Sequence, residues 1–146
     1  MTYEHEYVLG FAFDRLAGEV CLIHKLRPEW QCGKLNGVGG SLNIMERSLP
    51  AMRREFREET GVDIEESRWR IFGVLDTLRP GEARIWLYTT DLKPGEWPEM
   101  CEDEEVIMLP LAHLHDLDPA DIHDNLSWMI PMALAESSVF AEIREV

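Results

Sequence analysis

One stretch restricts this chain more than any other. From Gly40 to Val62 it reads Gly-x5-Glu-x7-Arg-Glu-Φ-x-Glu-Glu-x-Gly-Φ, where Φ is apolar. The fixed positions are Gly40, Glu46, Arg54, Glu55, Phe56, Glu58, Glu59, Gly61 and Val62. At ordinary residue usage such a pattern arises by chance with a probability on the order of 10⁻⁹ per start position, so it is a constraint and not an accident. Its second half has the marks of a helix. Ser48 is placed as an N-cap, and Leu49-Pro50-Ala51 puts proline in the first turn, where its missing N–H costs little. Leu49, Met52 and Phe56 recur at helical spacing, and Gly61 ends the helix as a C′ residue would. Glu55, Glu58 and Glu59 then fall at i, i+3 and i+4, with their carboxylates on one face.

Three like charges on one face repel each other. A charged helix can simply be a solvated face laced with ion pairs. It can also hold a hard divalent cation such as Mg2+, which is bound by a few carboxylates, waters and substrate phosphates. The segment upstream favours the cation. Asn36-Gly37-Val38-Gly39-Gly40 is a turn followed by backbone almost bare of side chains, open to close approach by a metal or a phosphate. A glycine segment feeding an acidic helix outlines a metal–pyrophosphate site.

The 146 residues, 45% of them hydrophobic, suit one domain spanning 1–146 with a single core. No apolar run approaches the roughly 18 residues of a membrane span, and the acidic start Met1-Thr2-Tyr3-Glu4-His5-Glu6 is unlike a secretory signal. Three scattered cysteines, Cys21, Cys32 and Cys101, fit reduced thiols in a cytoplasmic protein and neither a zinc site nor a disulfide framework. Net charge is −14, which excludes the basic footprint of a duplex nucleic-acid binder. It also repels polyanionic substrates, so metal ions and a local basic group must offset it. Lys25, Arg27 and Lys34, just before the glycine segment, are the candidates.

Strand formers mark Tyr7–Phe13 and Glu19–His24, with Asp14–Gly18 between them as a hairpin link. Further strands are expected at Trp69–Leu75 and Ala83–Thr90, paired antiparallel across a Leu78–Glu82 turn, and at Val106–Leu109 before Pro110. A closing helix of about four turns is expected from Asp124, with Leu126, Met129, Ile130, Ala133 and Leu134 as its core stripe and Pro131 as a kink or a cause of a later start. Strands, a helix, more strands and a final helix suit an α/β class chain (α+β in order of elements) with a mixed sheet covered on both faces.

The 40–62 pattern resembles the Nudix box, the signature of the Nudix hydrolases, with every defining residue present. The resemblance implies an α/β/α sandwich over roughly Tyr7 to Ser138, and an enzyme that cleaves a nucleoside diphosphate linked to another moiety with water and Mg2+, or Mn2+ in its place. It implies that Glu58 and Glu59 bind metal with the Gly40 carbonyl, and that Glu55 binds metal or acts as general base. Arg54, counted with Glu55 and Glu58 in the catalytic group, pairs with Glu46 to hold loop against helix, and Gly61 is structural. A further acid comes from Glu102-Asp103-Glu104-Glu105, with Glu104 and Glu105 the preferred members. Outside the box, Leu35–Gly40 is similar to the Trp-Asn-Gly-Phe-Gly-Gly run of one family member, the mammalian oxidised-purine nucleoside triphosphatase. His123–Trp128 is similar to its Pro-Asp-Asp-Ser-Tyr-Trp run, with Asn125 at the second acid and Leu35 in place of Trp. These likenesses make Asn36, Asp124 and Asn125 candidate base readers, with Trp30 as a stacking residue and Arg27 and Lys34 for phosphate. The expected function is a MutT-like nucleoside triphosphate pyrophosphohydrolase, with 8-oxo-dGTP a possible substrate. The alternatives are a pyrophosphatase for ADP-ribose or another nucleoside-diphosphate conjugate, and a non-catalytic nucleotide sensor, although sensors usually lose box carboxylates that this chain keeps. The partner is a small nucleotide, and a homodimer is compatible with the chain.

Overall fold

Val8 and Ala12 pack toward one side of the first strand and Leu9, Phe11 and Phe13 toward the other, all of them buried. A strand buried on both faces belongs inside a sheet with layers above and below. The computed structural model of the protein describes residues 3–77, 82–135 and 140–145. In chain order the strands are β1 (His5–Asp14), β2 (Glu19–His24), β3 (Leu35–Asn36), β4 (Val38–Ser41), β5 (Arg70–Thr77), β6 (Ala83–Asp91), β7 (Val106–Pro110) and β8 (Ala141–Arg144). They form one mixed eight-stranded sheet in the order β3-β2-β1-β6-β5-β8, with β4 on β1 and β7 on β2. The β1–β6 and β5–β8 pairs are parallel, and the others are antiparallel. Helix α1 (Ser48–Thr60) covers the Val8 face through Ala51, Met52 and Phe56, and α2 (Leu126–Leu134) covers the Phe11 face through Leu126, Met129, Ile130 and Ala133.

The site is prepared by a split in the sheet. At its far end β1 pairs with β2 through Phe13 and Asp14, while Tyr7 to Gly10 pair with β4. The expected hairpin is present, but its strands part after two residue pairs because β4 takes the rest of that edge. The glycine segment is therefore not a free loop but a strand clamped on β1. A methyl on Gly39 would lie 1.9 Å from the Val8 carbonyl oxygen, which is backbone and cannot yield. Gly39→Ala is expected to cost roughly 3 kcal/mol, because such overpacking is relieved only by breaking the β1–β4 pairing. Urea unfolding checks this, and an unchanged midpoint would show that β4 can shift aside.

Three further expectations are corrected. Ser48 does not cap α1: the cap position is Arg47, without a side-chain bond, and Ser48 Oγ instead meets the hydroxyl of buried Tyr88 at 2.6 Å. The closing helix starts at Leu126 and runs 9 residues, with Asn125 and not Asp124 at its cap position. Just before it the chain pairs with β3, the His123 N–H donating to the Leu35 carbonyl at 2.9 Å. The last element is β8, which adds to the β5 edge and was not foreseen. Most of the Leu78–Glu82 turn lies outside the described residues. Among the described residues no helix is long and apolar enough to cross a membrane, and the three cysteines are free.

Candidate active site

Gly61 (φ 77°) stops α1 in the left-handed region, its N–H donating to the Arg57 carbonyl, so the acidic turn just before it has a fixed direction. Arg54 organises that turn. Its guanidinium forks onto Glu46, Nε to Oε2 at 2.8 Å and Nη2 to Oε1 at 2.7 Å. Nη1 donates to Glu55 Oε1 at 2.8 Å and Glu58 Oε2 at 3.2 Å, and Nη2 to the Ser41 carbonyl at 3.1 Å. One cation thus ties the β4–α1 loop to two carboxylates of the helix.

The three box glutamates differ in surroundings. Glu58 is 43% exposed on the outer side of α1, and it does not line the cleft described below. Glu55 is largely buried, and its carboxyl lies where a methyl on Gly40 would sit, 2.5 Å from the carboxyl carbon. Desolvation raises its pKa, against the hydrogen bond from Arg54. Glu59 is 8% exposed, and its Oε2 is buried with no hydrogen-bond partner. Desolvation pushes its carboxyl up to about 8; the Lys25 ammonium opposes this, while Glu104 and Glu55 add to it.

The acidic run before β7 is sorted by its partners. Glu104 is the buried member, accepting from the Leu26 N–H at 2.7 Å and Lys25 Nζ at 3.2 Å. Asp103 pairs with Arg27. Glu105 is turned to His24 Nδ1 at 3.3 Å, away from the cleft, so of the two preferred acids only Glu104 faces Glu59. The expected basic cluster is thereby largely spoken for: Lys25 and Arg27 are paired with acids, and Lys34 is not part of the cleft lining.

A cleft of about 760 Å³ connects these groups to the segments singled out for base recognition. Gly40, Glu55, Glu59, Glu102 and Glu104 line it, and so do Trp30, Asn36, Asp124 and Asn125. A parallel bridge between Leu35 and Ile122 brings the last two segments together. Gln31 and His123 line the cleft as well, and sequence reasoning missed both. A lone Gln or His carries no period or spacing; the Leu35–Ile122 contact places His123 here, and Gln31 Oε1 accepts from Asn36 Nδ2 at 3.3 Å. Trp30 is half exposed, its ring centroid 5.7 Å from that of His123.

Among the described residues no three His, Cys, Asp or Glu side chains converge tightly enough to cage an ion. The buried, unpartnered Glu59 oxygen nevertheless fits a hard cation that keeps waters and shares substrate phosphates, with Glu55, Glu104 and the Gly40 carbonyl as further oxygen donors.

The family model for the NUDIX domain matches residues 4–131. The chain belongs to the Nudix family. It is a Nudix hydrolase, an enzyme acting on pyrophosphate bonds. No curated protein matches the sequence. The fold of this Nudix hydrolase is similar to that of a mutator MutT protein from Bacillus halodurans, 15% identical with a TM-score of 0.73 over 97% of this chain and 90% of the other. It is equally similar to the NUDIX domain of Shewanella oneidensis NrtR complexed with ADP ribose, at 15% identity and a TM-score of 0.73 over 91% and 88%. A third likeness is to a Francisella tularensis bifunctional NMN adenylyltransferase/ADP ribose pyrophosphatase complexed with AMP and a Mn ion. There the identity is 14% and the TM-score 0.69, over 92% of this Nudix hydrolase and 42% of the other chain. At these identities the likeness is one of fold.

Proposed function

We propose that this Nudix hydrolase is a Mg2+-dependent nucleoside triphosphate pyrophosphohydrolase that releases a monophosphate and pyrophosphate, with oxidised purine nucleotides such as 8-oxo-dGTP in its substrate class. One observation carries the reading: Asn36, Asp124 and Asn125 share a cleft with Glu55 and Glu59. A ligand whose phosphates meet the acidic groups presents its base to amides and a carboxylate. Mg2+, or Mn2+ in its place, would neutralise the diphosphate and make a water acidic enough to give up a proton.

The chain's own residues do the rest. Glu59, Glu104 and the Gly40 carbonyl would hold the cation. Burial makes Glu55 a stronger proton acceptor than an exposed glutamate, which suits it to take the proton of the attacking water. Arg54 keeps Glu55 in place and Glu46 keeps Arg54 in place. Arg27, at the cleft wall, is free to exchange Asp103 for a substrate phosphate.

The test is kcat/KM with saturating Mg2+ over dGTP, 8-oxo-dGTP, ATP and ADP-ribose, for the wild type and Asn36→Ala. Removing a base-reading amide is expected to lower kcat/KM for the preferred purine roughly 10-fold, since a polar edge is left unpaired, and to change poor substrates little. Asp124→Ala should act in the same way without loss of Tm, because Asp124 caps no helix. Equal slowing of every nucleotide, or ADP-ribose as the best substrate, would move the function to nucleoside-diphosphate conjugates.

A further inference from the structure

Residues 92–105, between β6 and β7, form a strap over the far end of the box helix. The last carbonyls of a helix have no partner within it, and two of them accept from this strap. The Glu99 N–H donates to the Thr60 carbonyl at 3.0 Å, and the Cys101 N–H to the Glu59 carbonyl at 3.2 Å. Cys101 Sγ closes over Gly61, 3.0 Å from where a methyl on that glycine would sit. The strap then carries Glu102 and Glu104, whose charges act on Glu59. Acids facing a buried glutamate push the strap outward unless something ties it down.

At the Glu104 end the ties are Lys25 and the Leu26 N–H. At the other end the tie is Arg68, in the turn before β5. Its guanidinium forks onto Glu96, Nη1 to Oε2 at 2.8 Å and Nη2 to Oε1 at 2.6 Å. Nη2 also donates to the Asp91 carbonyl at 2.9 Å, and Glu96 Oε1 accepts from the Lys93 N–H at 2.7 Å. The Thr90 hydroxyl holds the Arg68 carbonyl at 2.9 Å. The two side chains are only 20% and 19% exposed, and neither lines the cleft.

We infer that Arg68 and Glu96 are positioning residues of the cation site. They anchor the strap, and through the bond from Cys101 to the Glu59 carbonyl the strap sets Glu104 against Glu59. Without the anchor the acids spread apart, and a cation must gather them before it is held. Affinity for the cation then falls, while turnover in the loaded site is kept. This rests on the Mg2+-dependent reading above.

The test is Mn2+ binding to the nucleotide-free protein, followed by loss of the free-ion EPR signal. Glu96→Ala is expected to weaken Mn2+ roughly 10-fold, as loss of an outer support of a metal ligand does. Glu96→Gln keeps an oxygen for Arg68 and should restore part of this, with Mn2+ weakened about threefold. At saturating Mn2+ its kcat should stay within about twofold of wild type, while the Mn2+ needed for half-maximal rate rises with Kd. Asp63→Asn is the control. Asp63 takes an equal fork from Arg53, at 2.8 and 2.9 Å, and neither side chain is hydrogen-bonded to the strap among the described residues. Its Mn2+ affinity should stay within about twofold of wild type whatever its Tm. Wild-type affinity in both Glu96 variants overturns the inference alone, as does an equal loss in Asp63→Asn; if Glu96→Ala does not fold, Glu96→Gln decides. A wild type that binds no Mn2+ overturns the inference and the Mg2+-dependent reading together.

Discussion

Glu59→Gln is expected to remove most turnover and, at neutral pH without added metal, to stabilise the fold. The turnover loss should be at least ~10²-fold, because a carboxylate in contact with a catalytic cation is worth several kcal/mol of transition-state charge stabilisation. The stability gain follows from linkage. The Glu59 carboxyl is held up at about 8 in the folded chain, against an ordinary value of 4.5. Between these two pH values the folded state binds the proton and the unfolded state does not, so this contribution is full below 4.5 and lost as pH rises to about 8. Glutamine cannot lose a proton there. The Tm of Glu59→Gln relative to wild type should therefore rise from pH 5 to pH 8 in EDTA. Added Mg2+ should close the gap by stabilising the wild type alone, since binding displaces the proton. A gap independent of pH and of Mg2+ would mean that Glu59 is neither strained nor a ligand.

Gly40→Ala should cost activity far more than stability. Its backbone is not in the left-handed region, so alanine is tolerated locally. The new methyl would meet the Glu55 carboxyl at 2.5 to 2.6 Å, and the end of a flexible side chain gives way more cheaply than backbone does. Glu55 then leaves Arg54 and the place where it faces the cleft. A displacement of about 1 Å at a reacting centre can cost ~10²-fold in kcat, while the stability change should stay within about 1 kcal/mol. The contrast with Gly39→Ala, one residue away and pressed on a carbonyl, makes the pair diagnostic. Full activity with a large loss of Tm in Gly40→Ala would leave Gly40 as a packing glycine only.

What the sequence made legible is local. Apolar period and Gly61 place α1 within Ser48–Thr60, and strand-forming runs place β1, β2, β5, β6 and β7 within a residue or two. What escaped depends on distant partners. Val38-Gly39-Gly40-Ser41 has poor strand propensity and becomes a strand only because β1 has an edge to share. Ser48 finds Tyr88, 40 residues on, in place of a capping bond. Glu104 and Glu105 are indistinguishable in a run of acids, and the Leu26 N–H with Lys25 separates them. The Nudix box names its carboxylates, but it does not say that one would be buried without a partner.

The most direct test is phosphorus NMR of dGTP and 8-oxo-dGTP incubated with the protein and Mg2+, beside ADP-ribose. Equal amounts of the nucleoside monophosphate and intact pyrophosphate are predicted from the triphosphates, with the signals unchanged in Glu59→Gln. Release of orthophosphate from the triphosphates, or cleavage confined to ADP-ribose, would contradict a nucleoside triphosphate pyrophosphohydrolase.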